Sequence, residues 1–256
     1  MHSLTTSQVL LLFCAAALGS AVNAVAGGGQ ILSFPAAIAV GLPPLFANTA
    51  NAASLAPGAL AAAWGFRSEI ARHRGVVFLL AGPTVAGSLI GALTLRHTPS
   101  RTFEMLIPWL LLSATFAIAL QDRFAQLLQR AEGPRPRLAL ATLAQFLVAI
   151  YGGFFGVGMG LMMLVTLGLV GPLDLHGRVA VKSVLGALTN LTASAYFLAS
   201  HLIDFRASAV MITGAIAGGT FGGQLARRAS PGSLRRTIGV IGLAISLAFV
   251  WRQQSR

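Results

Sequence analysis

Two long stretches of this sequence carry no charged side chain. Residues 1–66 and residues 138–173 contain no Lys, Arg, Asp or Glu, and the whole chain is 55% hydrophobic and only 9% charged. A soluble domain is about 25% charged, and a charge at the centre of a bilayer costs at least ~2.5–3.5 kcal/mol. The charge-free stretches therefore predict membrane spans, and the charged clusters elsewhere predict loops.

The basic excess of the chain, a net charge of +12, borders these apolar runs. Because no surface of alternating aromatic and basic residues accompanies it, the excess favours the positive-inside rule and anionic lipid headgroups over nucleic acid binding. The single cysteine, Cys14, excludes a disulfide or a cysteine-based metal site within one chain. The apolar run at residues 9–18 has no preceding Lys or Arg, so we expect a retained first helix rather than a signal peptide.

The chain repeats itself after about 130 residues. Glycines match when the sequence is shifted by 132 positions: Gly82, Gly87 and Gly91 fall on Gly214, Gly219 and Gly223. This match predicts a first membrane repeat at residues 1–120, a cytoplasmic linker at 121–137 and a second membrane repeat at 138–256. The linker is expected to be either a short interfacial helix or a solvated connector.

Each half contains five apolar segments, and the segments at 30–46 and 160–173 are short for a span of about 20 residues. The predicted fold is therefore all-α: a polytopic transmembrane bundle of two repeated halves, with about eight full spans and two short or broken segments. If all ten segments cross the membrane, the halves are inverted; if only the long ones cross, the halves are parallel. Both arrangements place the 121–137 linker in the cytoplasm.

Each short segment follows a glycine cluster. The first cluster is Gly27, Gly28 and Gly29, and the second contains Gly156, Gly158 and Gly160. Broken helices at matching places in a duplicated chain are typical of transporter binding sites, where helix N-termini with exposed N–H groups face the ligand. Because those N-termini are partially positive, the expected ligand is an anion.

Uncharged polar residues follow the first cluster. Gln30, Ser33, Asn48, Thr49 and Asn51 supply the polar atoms available to line a pathway in the first half. Two structural alternatives remain open: Asn48 or Thr49 caps a helix, and Ser33 bonds only its own backbone. Gln30 is harder to explain structurally, because a free amide in lipid is costly.

The matching region of the second half contains Lys182, the one lysine in the sequence. It follows Arg178 by four residues, which puts both on one helix face, and residues 183–203 carry no charge. Lys182 is thus predicted to lie inside a membrane helix, where it binds an anion, snorkels to the interface or pairs with Asp174. Ser183 and Asn190 are further candidates for the pathway.

These motifs resemble the sulfite exporter TauE/SafE family of membrane permeases. The resemblance rests on Gly27-Gly-Gly-Gln-Ile-Leu-Ser-Phe-Pro35, on Asn48-Thr-Ala-Asn-Ala-Ala-Ser54, and on Gly-Val-Gly-Met-Gly160 together with Val181-Lys-Ser183. It implies a bacterial inner-membrane carrier with duplicated halves, associated with sulfite, sulfonates and related organic anions.

The expected function is secondary transport of a small anion across the inner membrane, with no cofactor and no metal. The alternatives are a passive channel for a small solute and an intramembrane enzyme or assembly factor. The enzyme is disfavoured because no catalytic set of residues is visible within the spans. Substrate, direction, coupling ion and the choice between a monomer and a homo-oligomer stay open.

Overall fold

The computed structural model describes residues 4–25, 27–130, 137–171 and 173–226, and within these ranges it contains helices and no strands. The all-α class is confirmed. The helices are α1 (Thr6–Val25), α2 (Gln30–Ala39), α3 (Pro44–Trp64), α4 (Arg67–Arg72), α5 (Arg74–His97), α6 (Ser100–Arg130), α7 (Leu138–Phe154), α8 (Met159–Leu167), α9 (Leu175–Ala199) and α10 (Phe205–Ala226). The last predicted segment, at 237–251, lies outside the described residues.

Two helices in the described ranges, Thr6–Ala24 and Arg74–His97, are long and apolar enough to cross a membrane by themselves. Gln30–Ala39 and Leu138–Phe154 are shorter apolar helices. The count of about eight full spans therefore stays a prediction. Helix α6 runs without a break to Arg130, so the first ten residues of the 121–137 linker are a continuation of that helix.

Helices α2 and α8 each fold back along the helix that precedes them. At the start of α2, Gly29 lies against the Gly19 carbonyl in the middle of α1. At its other end, the Gln8 amide donates to the Val40 carbonyl at 3.2 Å, beside the start of α1. In the same way, the backbone N–H of Arg137 donates to the Leu169 carbonyl at 3.0 Å, so the chain after α8 returns to the beginning of α7. Each half thus begins with an antiparallel helix–break–helix hairpin.

Glycines allow two pairs of parallel helices to pack closely. Helix α10 packs along α1 and helix α5 packs along α7. The contacts advance in step along each pair: Gly214, Gly218 and Gly222 face Phe13, Ala17 and Ala21, and Gly87 and Gly91 face Phe146 and Ile150. A Cβ on Gly218 would lie 2.5 Å from the Ala17 carbonyl carbon, which leaves no room for a side chain. Small residues at these positions thus let the helices approach closely.

The long helices α3 and α9 pack against each other in the interior. Side-chain contacts define the two ends of the bundle. At the linker end (residues 65–74, 137, 169–171 and 173–174), His73 Nε2 lies 3.8 Å from Asp174 Oδ1. At the opposite end, called here the turn end (residues 40–43, 97–100 and 200–204), Arg96 Nη1 donates to Ser200 Oγ at 3.0 Å.

Candidate substrate site at the glycine breaks

The two glycine breaks touch each other. A Cβ on Gly27 would lie 3.0 Å from the carbonyl carbon of Gly160, and a Cβ on Gly160 would lie 3.2 Å from Gly27 Cα. Gly27 has φ 76° and Gly158 has φ 80°, a left-handed backbone that favours glycine. The 27–30 and 156–160 segments thus meet. The N-termini of α2 and α8 therefore lie next to each other.

Gln30, the first residue of α2, reaches across to the second break. A Cβ on Gly156 would lie 3.0 Å from Gln30 Nε2 and 3.2 Å from Gln30 Oε1, so the absence of a side chain at 156 makes room for this amide. Gln30 is 4% exposed. The two breaks are therefore in contact through a buried polar side chain as well as through backbone.

Lys182 extends from the second turn of α9 to the same region. Its ammonium donates to the Asn23 carbonyl at 2.7 Å and to the Ala24 carbonyl at 3.5 Å, and the residue is 2% exposed. A Cβ on Gly160 would lie 3.6 Å from Lys182 Cδ. The lysine is thus a buried cation from the second half that contacts the end of α1 in the first half.

Asp174 does not pair with Lys182. Its carboxylate accepts from the backbone N–H of Gly177 at 3.0 Å, which makes it the N-cap of α9, and it faces His73 at the linker end. The pairing alternative is therefore wrong, because the carboxylate caps the first turn of α9 while the lysine points away from it, toward α1.

Asn23 is a site residue that sequence reasoning missed. Its side-chain Oδ1 accepts from the backbone N–H of Gly28 at 3.3 Å, and its carbonyl accepts from Lys182 and, at 3.2 Å, from the backbone N–H of Gly27. One signal was present: an asparagine near the end of an apolar helix, four residues before three glycines. Such a side chain commonly bonds nearby backbone where a helix ends.

Ser33 and Asn51 form a second buried cluster between α2 and α3. The Ser33 hydroxyl donates to Asn51 Oδ1 at 2.6 Å, and both residues are 0% exposed. The reading of Ser33 as bonding only its own backbone is therefore wrong. Asn51 Nδ2 is buried and has no partner among the described residues, so it is available to a ligand or a water molecule.

Asn48 and Thr49 lie nearer the turn end. The helix they were expected to open begins earlier, at Pro44 with Pro43 as N-cap, so the capping alternative is wrong. Asn48 Nδ2 donates to the Phe154 carbonyl at 3.0 Å, and the Thr49 hydroxyl donates to the Leu202 carbonyl at 2.5 Å. Asn48 Oδ1 is buried and unpartnered within the described ranges. Both side chains join α3 to the second half.

The other second-half candidates are spread along α9. Arg178 Nε donates to the Leu173 carbonyl at 3.0 Å, and the Ser183 hydroxyl donates to Val179 of its own helix at 2.8 Å. Asn190 is 1% exposed, and its Oδ1 has no partner in the described part of the chain. These three residues do not form one cluster, and their predicted roles stay predictions.

A buried polar triad joins α5, α7 and α8, and sequence reasoning missed it as well. Gln145 Nε2 donates to the Thr84 hydroxyl at 3.0 Å, and the Thr166 hydroxyl lies 3.3 Å from Gln145 Oε1. All three residues are at most 8% exposed. A glutamine in the middle of an apolar run was the available signal, because an amide in lipid needs partners.

Comparison with known proteins gives one consistent result. The model of the family described as "Sulfite exporter TauE/SafE" matches residues 11–249. A "Probable membrane transporter protein" of Haemophilus influenzae is 29% identical over 248 residues, covering 95% of this chain and 94% of the relative. The "Probable membrane transporter protein YfcA" of Escherichia coli is 23% identical over 245 residues, covering 94% of this chain and 89% of the relative.

No solved structure matches the chain significantly. The family match covers nearly the whole chain, and the relatives match from end to end, so the similarity is not confined to one motif. The resemblance noted from the glycine motifs is confirmed: this chain belongs to the sulfite exporter TauE/SafE family of membrane proteins.

Proposed function

We propose that the protein is a secondary transporter that moves a small anion across the bacterial inner membrane, and that the anion binds where the glycine breaks meet. The proposal is carried by one observation: the buried ammonium of Lys182 beside the contact between Gly27 and Gly160. A cation in a membrane interior is costly and marks a functional site.

Lys182 and two helix N-termini bring positive charge to the glycine breaks. Helices α2 and α8 both begin there, and a helix N-terminus is equivalent to roughly half a positive charge. Residues 1–66, 138–173 and 175–203 contain no Asp or Glu, so those segments add no acidic side chain to the region. An anion is the ligand that this combination favours. The family description adds sulfite as the first candidate. The resemblance noted from the motifs extends the class to sulfonates and organic anions.

We further propose that the two halves are inverted repeats. Matching contacts support this: Gly87 lies against the Phe146 carbonyl as Gly218 lies against the Ala17 carbonyl. Gly87 and Gly218 are 131 positions apart, and Ala17 and Phe146 are 129 apart. These contacts favour a 131-residue offset for α5 and α10, in place of the 132-residue offset read from the sequence.

Helix directions support inversion over parallel halves. Helix α1 runs from the turn end to the linker end, and α5, whose last residues contact the turn end, runs the opposite way. Helix α7 is parallel to α5 and therefore antiparallel to α1. If α7 is the repeat of α1, the second half is turned over in the membrane, which requires an odd number of crossings in each half.

The distribution of arginines gives the orientation. The linker end of the bundle carries Arg67, Arg72, Arg74, Arg137 and Arg178, whereas Arg96, Arg101 and Arg206 lie toward the turn end. The positive-inside rule then places the linker end in the cytoplasm. Ten crossings fit this arrangement, with the tenth supplied by the segment at 237–251.

Uptake of labelled sulfite into proteoliposomes tests the function. We expect saturable uptake, because a carrier binds its substrate before moving it; uptake that stays proportional to concentration would indicate a channel. Lys182→Ala should abolish uptake and Lys182→Arg should retain part of it. Arg96→Ala, which removes a cation bonded at the turn end, is the matched control. Normal uptake by Lys182→Ala, at normal abundance in the membrane, would refute the role of this lysine.

A further inference from the structure

Three hydrogen bonds meet at Asn23, in the last turn of α1. Its carbonyl accepts from the backbone N–H of Gly27 at 3.2 Å and from the Lys182 ammonium at 2.7 Å. Its side chain accepts from the backbone N–H of Gly28 at 3.3 Å. The first glycine break and the buried lysine of the other half therefore share one residue.

The partners of Lys182 are the carbonyls at the C-terminal end of a helix. Asn23 and Ala24 both lie in the last turn of α1, where the helix dipole presents partial negative charge. These carbonyls hold the ammonium in place. They carry no net charge, however, and a charge-assisted bond to an oxyanion is roughly twice as strong as a bond to a neutral acceptor.

We propose that the Lys182 ammonium exchanges between the α1 carbonyls and the transported anion, so that anion binding releases Asn23 and loosens the first break. This inference rests on the proposed function. Lys182 is thereby a positioning residue as well as a binding residue: without the anion it fixes the end of α1 to α9, and with the anion it no longer does. Anion binding at the glycine breaks is thereby coupled to the loss of a contact between α1 in the first half and α9 in the second half.

The geometry makes the coupling direct. The carbonyl released by Lys182 is the acceptor of the Gly27 N–H, and the side chain of the same residue holds the Gly28 N–H. Gly27 in turn packs on Gly160, in the first turn of α8. A shift of Asn23 therefore changes the contact between the two breaks without any intermediate element.

Hydrogen–deuterium exchange of the full-length protein in detergent, with and without sulfite, tests the exchange of partners. We expect sulfite to speed amide exchange in the 23–29 segment of the wild-type protein about tenfold, the order of effect for losing one hydrogen bond to a charged group. Lys182→Ala should show the faster exchange already without sulfite and no response to it. Arg96→Ala should respond as the wild type does.

Lys182→Gln provides a second test that still holds if the alanine variant misfolds. It keeps a donor for the α1 carbonyls but has no charge to attract the anion. We expect slow exchange in the 23–29 segment with or without sulfite. A sulfite response in Lys182→Gln that equals that of the wild type would overturn the proposal.

Sulfite binding, followed by the thermal stability of the same samples, separates this inference from the proposed function. If sulfite stabilises the wild-type protein but leaves exchange at 23–29 unchanged or slower, the partner exchange is wrong and anion binding stands. If neither sulfite nor the sulfonates taurine and sulfoacetate stabilise the protein or enter proteoliposomes, the proposed function fails, and the partner exchange fails with it.

Discussion

Because α1 packs closely on α10 at Gly218, we predict that a larger side chain at this position lowers the stability of the protein. An alanine Cβ at this position would lie 2.5 Å from the Ala17 carbonyl carbon and 2.7 Å from Ala17 Cα. The Ala17 carbonyl oxygen would lie closer still. Ordinary contact begins at 3.4 Å, so the two helices must separate by about 1 Å or more. Overpacking of this kind costs roughly 1–3 kcal/mol. Alanine is also about 1 kcal/mol more favourable than glycine inside a helix. A control substitution with the same gain is therefore needed, so that this gain cancels in the comparison.

Gly186→Ala is the matched control. Gly186 lies inside helix α9, and a Cβ there would meet nothing within 4 Å. Both substitutions gain a similar helix propensity, so the difference between their free energies of unfolding reports the overpacking, about 1–3 kcal/mol. We expect Gly186→Ala to match or exceed the wild type and Gly218→Ala to fall below it. Unfolding by SDS in mixed micelles, followed by circular dichroism, measures both. Equal stability of the two variants would show that α1 and α10 are not packed as described.

Other substitutions test the site and the topology. Gly27→Ala should sharply reduce sulfite uptake, because its left-handed φ and its contact with Gly160 exclude a side chain; uptake at the wild-type rate would contradict the contact between the breaks. Gln145→Leu should lower the free energy of unfolding by only about 1 kcal/mol, because the two threonines keep their own helix carbonyls as acceptors; a much larger loss would mean that the triad has a further partner. A cysteine introduced at 133 should react with impermeant maleimide only from the cytoplasmic side, and one at 41 only from the periplasmic side; the reverse pattern would overturn the proposed orientation.

The features that sequence reasoning predicted well are chemically conspicuous. Glycine clusters in an apolar chain, and one lysine followed by 21 uncharged residues, stand out because lipid penalises both. The breaks between the helices and the position of Lys182 inside α9 followed from that penalty. Their hydrogen-bond partners did not, because the acceptors are backbone carbonyls, and every residue type carries one.

The offset between the two proposed repeats was predicted only approximately from the sequence, for a different reason. A single shift of 132 positions aligned glycines, whereas the matching contacts involve offsets of 129 in α1 and α7 and of 131 in α5 and α10. The two halves differ in the lengths of their turns, so no single shift can align every helix. The Gln145 triad was missed for a related reason, since its threonines lie 61 and 21 positions away and neither is unusual for a helix.

The acceptor for Lys182 at Asn23 has a consequence for genetics. A main-chain carbonyl is present whichever amino acid occupies the position, so substitution at 23 or 24 leaves the contact chemically available. Variation among relatives at these positions would not reveal a partner for the lysine, and suppressor screens starting from a Lys182 variant would return no compensating change there. The contact between this lysine and the α1 carbonyls is therefore invisible to methods that infer contacts from paired substitutions, whereas structure and exchange measurements can detect it.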